Sequence, residues 1–404
     1  MLRPGQVIAL CVFALLTIGV VMVNSAGMAV APVDSSLDSV PSVSTRSILL
    51  SRSTVYMGLA ILAMGVGSML PVRRAAAVLA GGRDGREGLA PLMVGAGALV
   101  VVCALVYVPG LSREVNGSNR WLRLPGLGTE LSLQPSELAK WGLVVVIAWY
   151  GAARARVIHE FWAGLVPALL AVGAVAGFII VEDLGTGTLI AAVACLMLLA
   201  AGARVWHFAM FVPLAVLGLV GAILTSPYRV KRILAFIDPY ADPQGIGYHA
   251  IQSLVAIAGG KGFGRGLGHG LQKFNYLPED TTDFIFAIIC EELGIAGAAV
   301  VIGLFGALLW AGFVVMRRES DAMLRLVALG VVGTVALQAI INLAVVTALA
   351  PTKGIALPLL SSGGTGWILT AFSMGLLVAI DRTQTEDAGA TARGLGAVPA
   401  SSAY

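Results

Sequence analysis

FIFAIICEELGIAGAAVVIGLFGALLWAGFVVM, Phe284 to Met316, is an apolar run with Glu291 and Glu292 set inside it. About 20 apolar residues cross the hydrocarbon core of a bilayer, and this run is longer than that. Ionisable groups at membrane depth are tolerated against protein or water and not against lipid. The first part, DFIFAIICEELG, is therefore expected at the interface or along a polar cavity, with the helix proper after it. Outward from this run, nine more apolar stretches occupy residues 7–23, 54–71, 89–109, 136–153, 161–181, 187–203, 207–225, 326–348 and 364–381. The expectation is an all-α polytopic membrane protein with about ten transmembrane helices over residues 1–382. A large extracytoplasmic loop, about residues 226–283, separates the seventh and eighth helices. Residues 383–404, rich in Ala, Gly, Thr and Ser, read as a disordered cytoplasmic tail.

Composition agrees with lipid as the main solvent. Hydrophobic residues make up 58% and charged residues 12%, where a soluble chain carries about 25% charged residues. The 50 glycines suit close helix packing in a membrane. A net charge of +4 raises the question of nucleic acid, but the basic residues are scattered through inter-helix loops and form no patch. Cys11, Cys103, Cys195 and Cys290 sit in apolar stretches without a CxxC pair and read as packing residues. Arg3 followed by the run from Val7 to Val23 reads as a retained first helix rather than a cleaved signal.

Orientation follows from short loops. Arg73, Arg74, Arg83 and Arg86 fall in one, Arg154 and Arg156 in another, Arg317 and Arg318 in a third. All three share one side under this count, which is then cytoplasmic, with both termini inside.

Three outer segments concentrate polar residues beside spans. In NGSNRWLRLPGLGTELSLQPSELAK, Asn116 to Lys140, the pair Glu137 and Lys140 at i, i+3 is either an ion pair that lets the helix enter lipid or a cationic site for an anionic headgroup. In the large loop, Arg229, Lys231 and Arg232 follow a span directly. They are either a solvated edge or a grip on lipid phosphates, which arginine holds with a bidentate fork. The Gly-rich stretch from Gly259 to Gly270 lacks the GxxxxGK[ST] spacing and reads as a hinge or as backbone turns. In YLPEDTTDFIFAIICEELG, Glu279 and Asp283 stand at i, i+4, with Asp280 between them. Clustered, partly buried carboxylates supply a general base, hold a divalent cation such as magnesium or manganese, or simply cap the next helix. The histidines show no zinc spacing, and no GxSxG motif appears.

NGSNRWLRL, LQPSELAK, EDLGTGTL, DPYADPQGIGYHAIQSLVAI, QKFNYLPEDTTDFIFAIICEELG and PTKGIALPLLSSGGTG occur in this order. Together they resemble the SEDS (shape, elongation, division and sporulation) glycosyltransferases from the first helix to about residue 381. VNGSNRW, QKFNYLPE and PTKGI are closer to the division branch, FtsW, than to the elongation branch, RodA. The resemblance implies a multi-pass protein of the bacterial cytoplasmic membrane, enriched at the septum. It implies polymerisation of lipid II on the outer face, beside a class B penicillin-binding protein and other division proteins, with membrane lipids and no nucleic acid as partners. Asp283 falls on the family's essential acidic position. Thr281 stands where the family has His, His249 where it has Gln, and Ser362 where it has Tyr. On this reading the 4-hydroxyl of one lipid-linked sugar attacks the anomeric carbon of another, and Asp283 is the base. Arg120, Lys140, Arg229 and Arg232 meet the departing pyrophosphate. Gln134, Glu137, Gln252, Ser253, Glu279 and Glu291 complete the substrate-binding cavity. The rival readings are a lipid II flippase, in which the same residues serve passage, and a scaffold that only recruits the cross-linking enzyme.

Overall fold

The computed structural model describes residues 2–27, 51–80, 89–115, 118–123, 132–272, 276–352, 354–362 and 364–395. Each of the ten apolar runs lies, within a few residues, on a helix. In chain order these are α1 (Pro4–Ala26), α2 (Arg52–Met69) bent into α3 (Val72–Ala80), α4 (Leu89–Ala104), α5 (Pro135–Ala153), α6 (Val166–Glu182) after a π turn, α7 (Leu184–Ala200), α8 (Val205–Leu224), then α11 (Ile285–Arg318), α12 (Ala322–Val346) and α13 (Thr365–Leu395). Six of the described helical segments are long and apolar enough to cross a membrane unaided, and the α2–α3 pair, bent by 65°, adds a broken span. Proline at the first turn of α1 and α5 starts those helices without losing a ladder bond, and Ser51 caps α2 by accepting from the Thr54 N–H. α8 buries none of its residues fully and touches the protein lightly, with Phe208 against the core and Phe211 stacked on Phe161.

Three features depart from the expectation. The outer segment after α4 folds into a small antiparallel sheet, β1 (Ser112–Val115), β2 (Ser118–Arg123) and β3 (Ser132–Leu133), so among the described residues the regular structure is helical but for this sheet. Ser112 pairs with Leu122 and Leu122 with Leu133, with a bulge at Arg113/Glu114. The stretch 226–283 contains two helices: α9 (Pro227–Ile237) is an amphipathic continuation of α8, and α10 (Tyr248–Gly260) packs against α11 and α12. α13 runs on to Leu395, past the boundary expected at residue 382, while residues 396–404 lie outside the described residues.

The long apolar run from Phe284 to Met316 is broken at Gly294, which has φ 66° and ψ −163°. A helix break orphans carbonyls on one side and N–H groups on the other. The Gly-rich stretch supplies the missing partners. Arg265 and Gly266 donate to the carbonyls of Glu291 and Glu292, and the N–H groups of Ile295 and Ala296 donate to Lys261 and Gly262. Main chain approaches main chain so closely that a Cβ on Gly294 would run into Gly264. The glycines here serve close contact between backbones.

Candidate active site

Asp283 lies in the turn that leads into α11. That turn is built on Glu279, whose carbonyl accepts from Thr282 and Phe284 N–H and whose φ of 57° is left-handed. Non-glycine residues hold that conformation only where the surroundings impose it. The Thr282 hydroxyl donates to the Glu279 carboxylate at 2.8 Å. The Ser362 N–H donates to the Thr281 carbonyl at 2.9 Å, and Asn342 Nδ2 donates to the Asp283 carbonyl at 2.8 Å. Gly354 borders the carboxyl itself: a Cβ there would sit 2.8 Å from Oδ2. Burial pushes the Asp283 carboxyl up to about 7; Glu279 and Asp183 raise it further, while Arg232 and Arg120 act in the opposite sense. Desolvation and nearby charge, two separable causes of a shifted pKa, both act here, with desolvation leading.

The two arginines reach the site from different elements. Arg232, on α9, lies 4.4 Å over the Tyr228 ring, donates to the Tyr228 hydroxyl, and donates to the Thr352 carbonyl at 3.1 Å. Arg120, on β2, donates to the Glu182 carbonyl at 2.6 Å and stands 3.7 Å from the Asp183 carboxylate. Asp183 caps α7, accepting from the N–H groups of Gly185 and Thr186 and from the Thr186 hydroxyl, a placement that stabilises its negative charge. Arg120, Ser136, Phe178, Glu182 and Asp183 line one cleft. His249, on α10, stacks on Phe284 at 5.9 Å. Burial lowers its pKa, Arg232 lowers it further and Glu279 opposes them, so the imidazole is neutral at pH 7.

Of the residues singled out in the sequence, the structure brings together Asp283, Glu279, Arg120 and Arg232. Others are engaged elsewhere. Lys140 is 2% exposed, pairs with Glu137 at 2.7 Å and donates to Gln338 at 3.1 Å; of its two readings, the ion pair is the one the geometry contains. Gln134 occupies the N-cap position of α5 without a side-chain cap bond, its N–H directed at the Thr365 hydroxyl at 3.4 Å. Arg229, expected at phosphate, instead donates to the Ala222, Ile180 and Val181 carbonyls at the ends of α8 and α6, where a cation satisfies orphan acceptors. Glu291, expected in the cavity, accepts from the Leu271 and Gln272 N–H groups with Arg265 at 3.5 Å, and Glu292 beside it accepts from Ser25 and Gly268. Both carboxylates clamp the Gly-rich stretch. Ser253 is fully buried and donates to Val346 at 2.7 Å, joining α10 to α12, with Gln252 half-buried next to it. Lys353 of PTKGI lies outside the described residues. Sequence reading missed Asp183, Asn342 and Gly354 as site residues. Asn342 had a signal, a polar side chain within the apolar run 326–348. Among the described residues no three His, Cys, Asp or Glu side chains converge as a metal ligand set, and the Asp183 oxygens are already occupied.

The family description "Cell cycle protein", FTSW_RODA_SPOVE, matches residues 6–386. The chain is 41% identical over 291 residues to stage V sporulation protein E of Bacillus subtilis, covering 70% of this chain and 78% of that one. It is 37% identical to the probable peptidoglycan glycosyltransferase FtsW of Thioalkalivibrio sulfidiphilus, over 94% of this chain and 90% of the relative. Among solved structures it resembles a chain of a peptidoglycan synthase complex that coordinates polymerization and crosslinking, with a TM-score of 0.70 at 27% identity, covering 94% of this chain and 98% of that one. The rod shape determining protein RodA of Thermus thermophilus shares the fold, with a TM-score of 0.59 at 24% identity over 93% and 96% of the two chains.

Proposed function

This chain belongs to the family of FtsW, RodA and SpoVE cell cycle proteins, and from that premise we propose that it is a peptidoglycan glycosyltransferase, polymerising lipid II into glycan strands on the outer face of the cytoplasmic membrane during division. The observation that carries the catalytic reading is the Asp283 carboxyl, held near neutrality by burial and its charged neighbours. A base works best when its pKa lies near the operating pH. The acceptor 4-hydroxyl forms the new C–O bond at the donor's anomeric carbon and gives its proton to Asp283. The bond to undecaprenyl pyrophosphate breaks with inversion. Arg232 and Arg120 stabilise the charge that develops on the leaving group. A divalent cation, magnesium or manganese, belongs to this proposal as a companion of the substrate's pyrophosphate. The chain works beside a class B penicillin-binding protein and other division proteins at the septum, with both termini in the cytoplasm.

The test uses purified protein, with a class B penicillin-binding protein present, and labelled lipid II. Asp283→Asn is expected to fold and form no glycan. Activity within a few-fold of wild type removes Asp283 as the base. Polymer formed in detergent, where there are no two sides, also separates this reading from pure transport, which leaves the lipid unchanged.

A further inference from the structure

Thr334, Gln338 and Asn342 recur every four residues on α12 and so share one face; Asn342 is 1% and Gln338 8% exposed. Amides at such depth are retained where they are hydrogen-bonded. Gln338 donates to the Ala356 carbonyl at 2.8 Å and accepts from Lys140, itself paired with Glu137. Asn342 uses a single nitrogen twice, donating to the Asp283 carbonyl at 2.8 Å and to the Ile355 carbonyl at 2.7 Å. The Asp283 carbonyl precedes the α11 ladder, whose first bonds go to Phe284. Ile355 adjoins Gly354, which borders the Asp283 carboxyl. One amide therefore ties the main chain beneath the carboxyl to the segment that borders it.

We propose that Asn342 is a positioning residue for Asp283, bridging the Asp283 turn to the Gly354–Ile355 segment so that the carboxyl is held at one height, with Gln338 and Lys140 anchoring the neighbouring carbonyl of Ala356. The inference rests on the reading of Asp283 as the base. Asn342 is too deeply buried to touch a lipid-linked sugar, so its effect passes through Asp283. Two donors on one nitrogen meet two carbonyl oxygens that no other side-chain type of this size satisfies. Leucine fills the volume without a donor, aspartate sets oxygen against oxygen, and glutamine keeps both donors one methylene further out.

The experiment compares Asn342→Leu, Asn342→Gln and Thr334→Val, a control on the same face, in the glycan-forming assay over a pH series, with thermal midpoints measured on the same samples. Misplacing a reacting group by about 1 Å lowers a rate by roughly 100-fold. Asn342→Leu is accordingly expected to lose about 10- to 100-fold in kcat with KM for lipid II nearly unchanged. The acid limb of its pH profile moves down by about one unit, because a loosened turn admits water to the carboxyl, while Glu279, Asp183, Arg232, Arg120 and His249 still face it. Asn342→Gln recovers part of both, and its readings carry the test if Asn342→Leu does not fold. Wild-type kcat in both Asn342 variants, or a loss that follows the folded fraction with the acid limb unmoved, overturns the proposal. Asp283→Asn in parallel tells the two failures apart. If it stays active, the base reading has failed; if it is inactive while the Asn342 variants behave as wild type, only the positioning role has failed.

Discussion

At Asp283 the protein keeps a carboxyl protonated to about pH 7 by burying it and by facing it with Glu279 and Asp183, against the pull of Arg232 and Arg120. A base must lose its proton before it acts, so polymerisation is expected to rise with pH and level off above about 7. Charges nearby then move that limb in predictable directions. Arg232→Ala removes a cation that favours the carboxylate, so the limb moves to higher pH. Glu279→Gln removes an anion that disfavours it, so the limb moves to lower pH, each by about one unit. A pH series on the two variants checks this, and shifts of the same sign would contradict the electrostatic account. The spacing of Glu279 and Asp283 could be read from the chain because they are four residues apart. Asp183 and Arg120 could not, since each lies many residues upstream and meets Asp283 only through the packing of α7 and the sheet.

Among the elements, α5 and α11 each carry charge into the membrane and dispose of it differently. α5 neutralises Lys140 against Glu137 and Gln338 within the bundle. Breaking a buried pair from one side leaves an uncompensated charge, which typically costs roughly 3 kcal/mol or more. Lys140→Ala is expected to lower the thermal midpoint sharply, and Glu137→Gln combined with Lys140→Met to recover much of the loss. An unaffected midpoint in Lys140→Ala would show that the pair does not support the fold. α11 instead breaks at Gly294 and lets the Gly-rich stretch satisfy the open ends of its ladder. Gly294→Ala combines a left-handed φ with a collision against Gly264, and strain of this kind costs about 1–3 kcal/mol before any displacement. Thermal melting and size-exclusion profiles in detergent should both deteriorate, and a normal melt would mean that the break is not fixed there. The break was visible in the sequence as charge inside an over-long run, as was the existence of each span. The purpose of the glycines and of Glu291 was not, because both are defined by main-chain groups that composition does not reveal. α9, α10 and the small sheet were read as loop because short outer segments carry too few apolar residues to stand out beside transmembrane runs.

For the molecule as a whole, the decisive question is on which side of the membrane Asp283 stands. α11 and α12 run in opposite directions between the Asp283 turn and a far end where Arg73 pairs with Glu319 and Asp387. Arg317 and Arg318 close α11 at that far end, which the loop charges predict to be the cytoplasmic one, and Asp381 there accepts from the Gly5 N–H, holding the last span to the first. On the proposed mechanism the acceptor and donor lipids present their sugars on the opposite face, so sidedness and chemistry stand or fall together. Tyr240, 71% exposed beyond α9, and Glu386, 68% exposed at its side chain on α13, sample the two ends. In intact cells a membrane-impermeant maleimide is expected to label Tyr240→Cys, and to label Glu386→Cys only after permeabilisation. The parent chain serves as the blank, since its cysteines are buried or half-buried. The reverse pattern would place Asp283 in the cytoplasm, away from the strands it is proposed to extend, and no rearrangement of Arg120 or Arg232 would restore the mechanism.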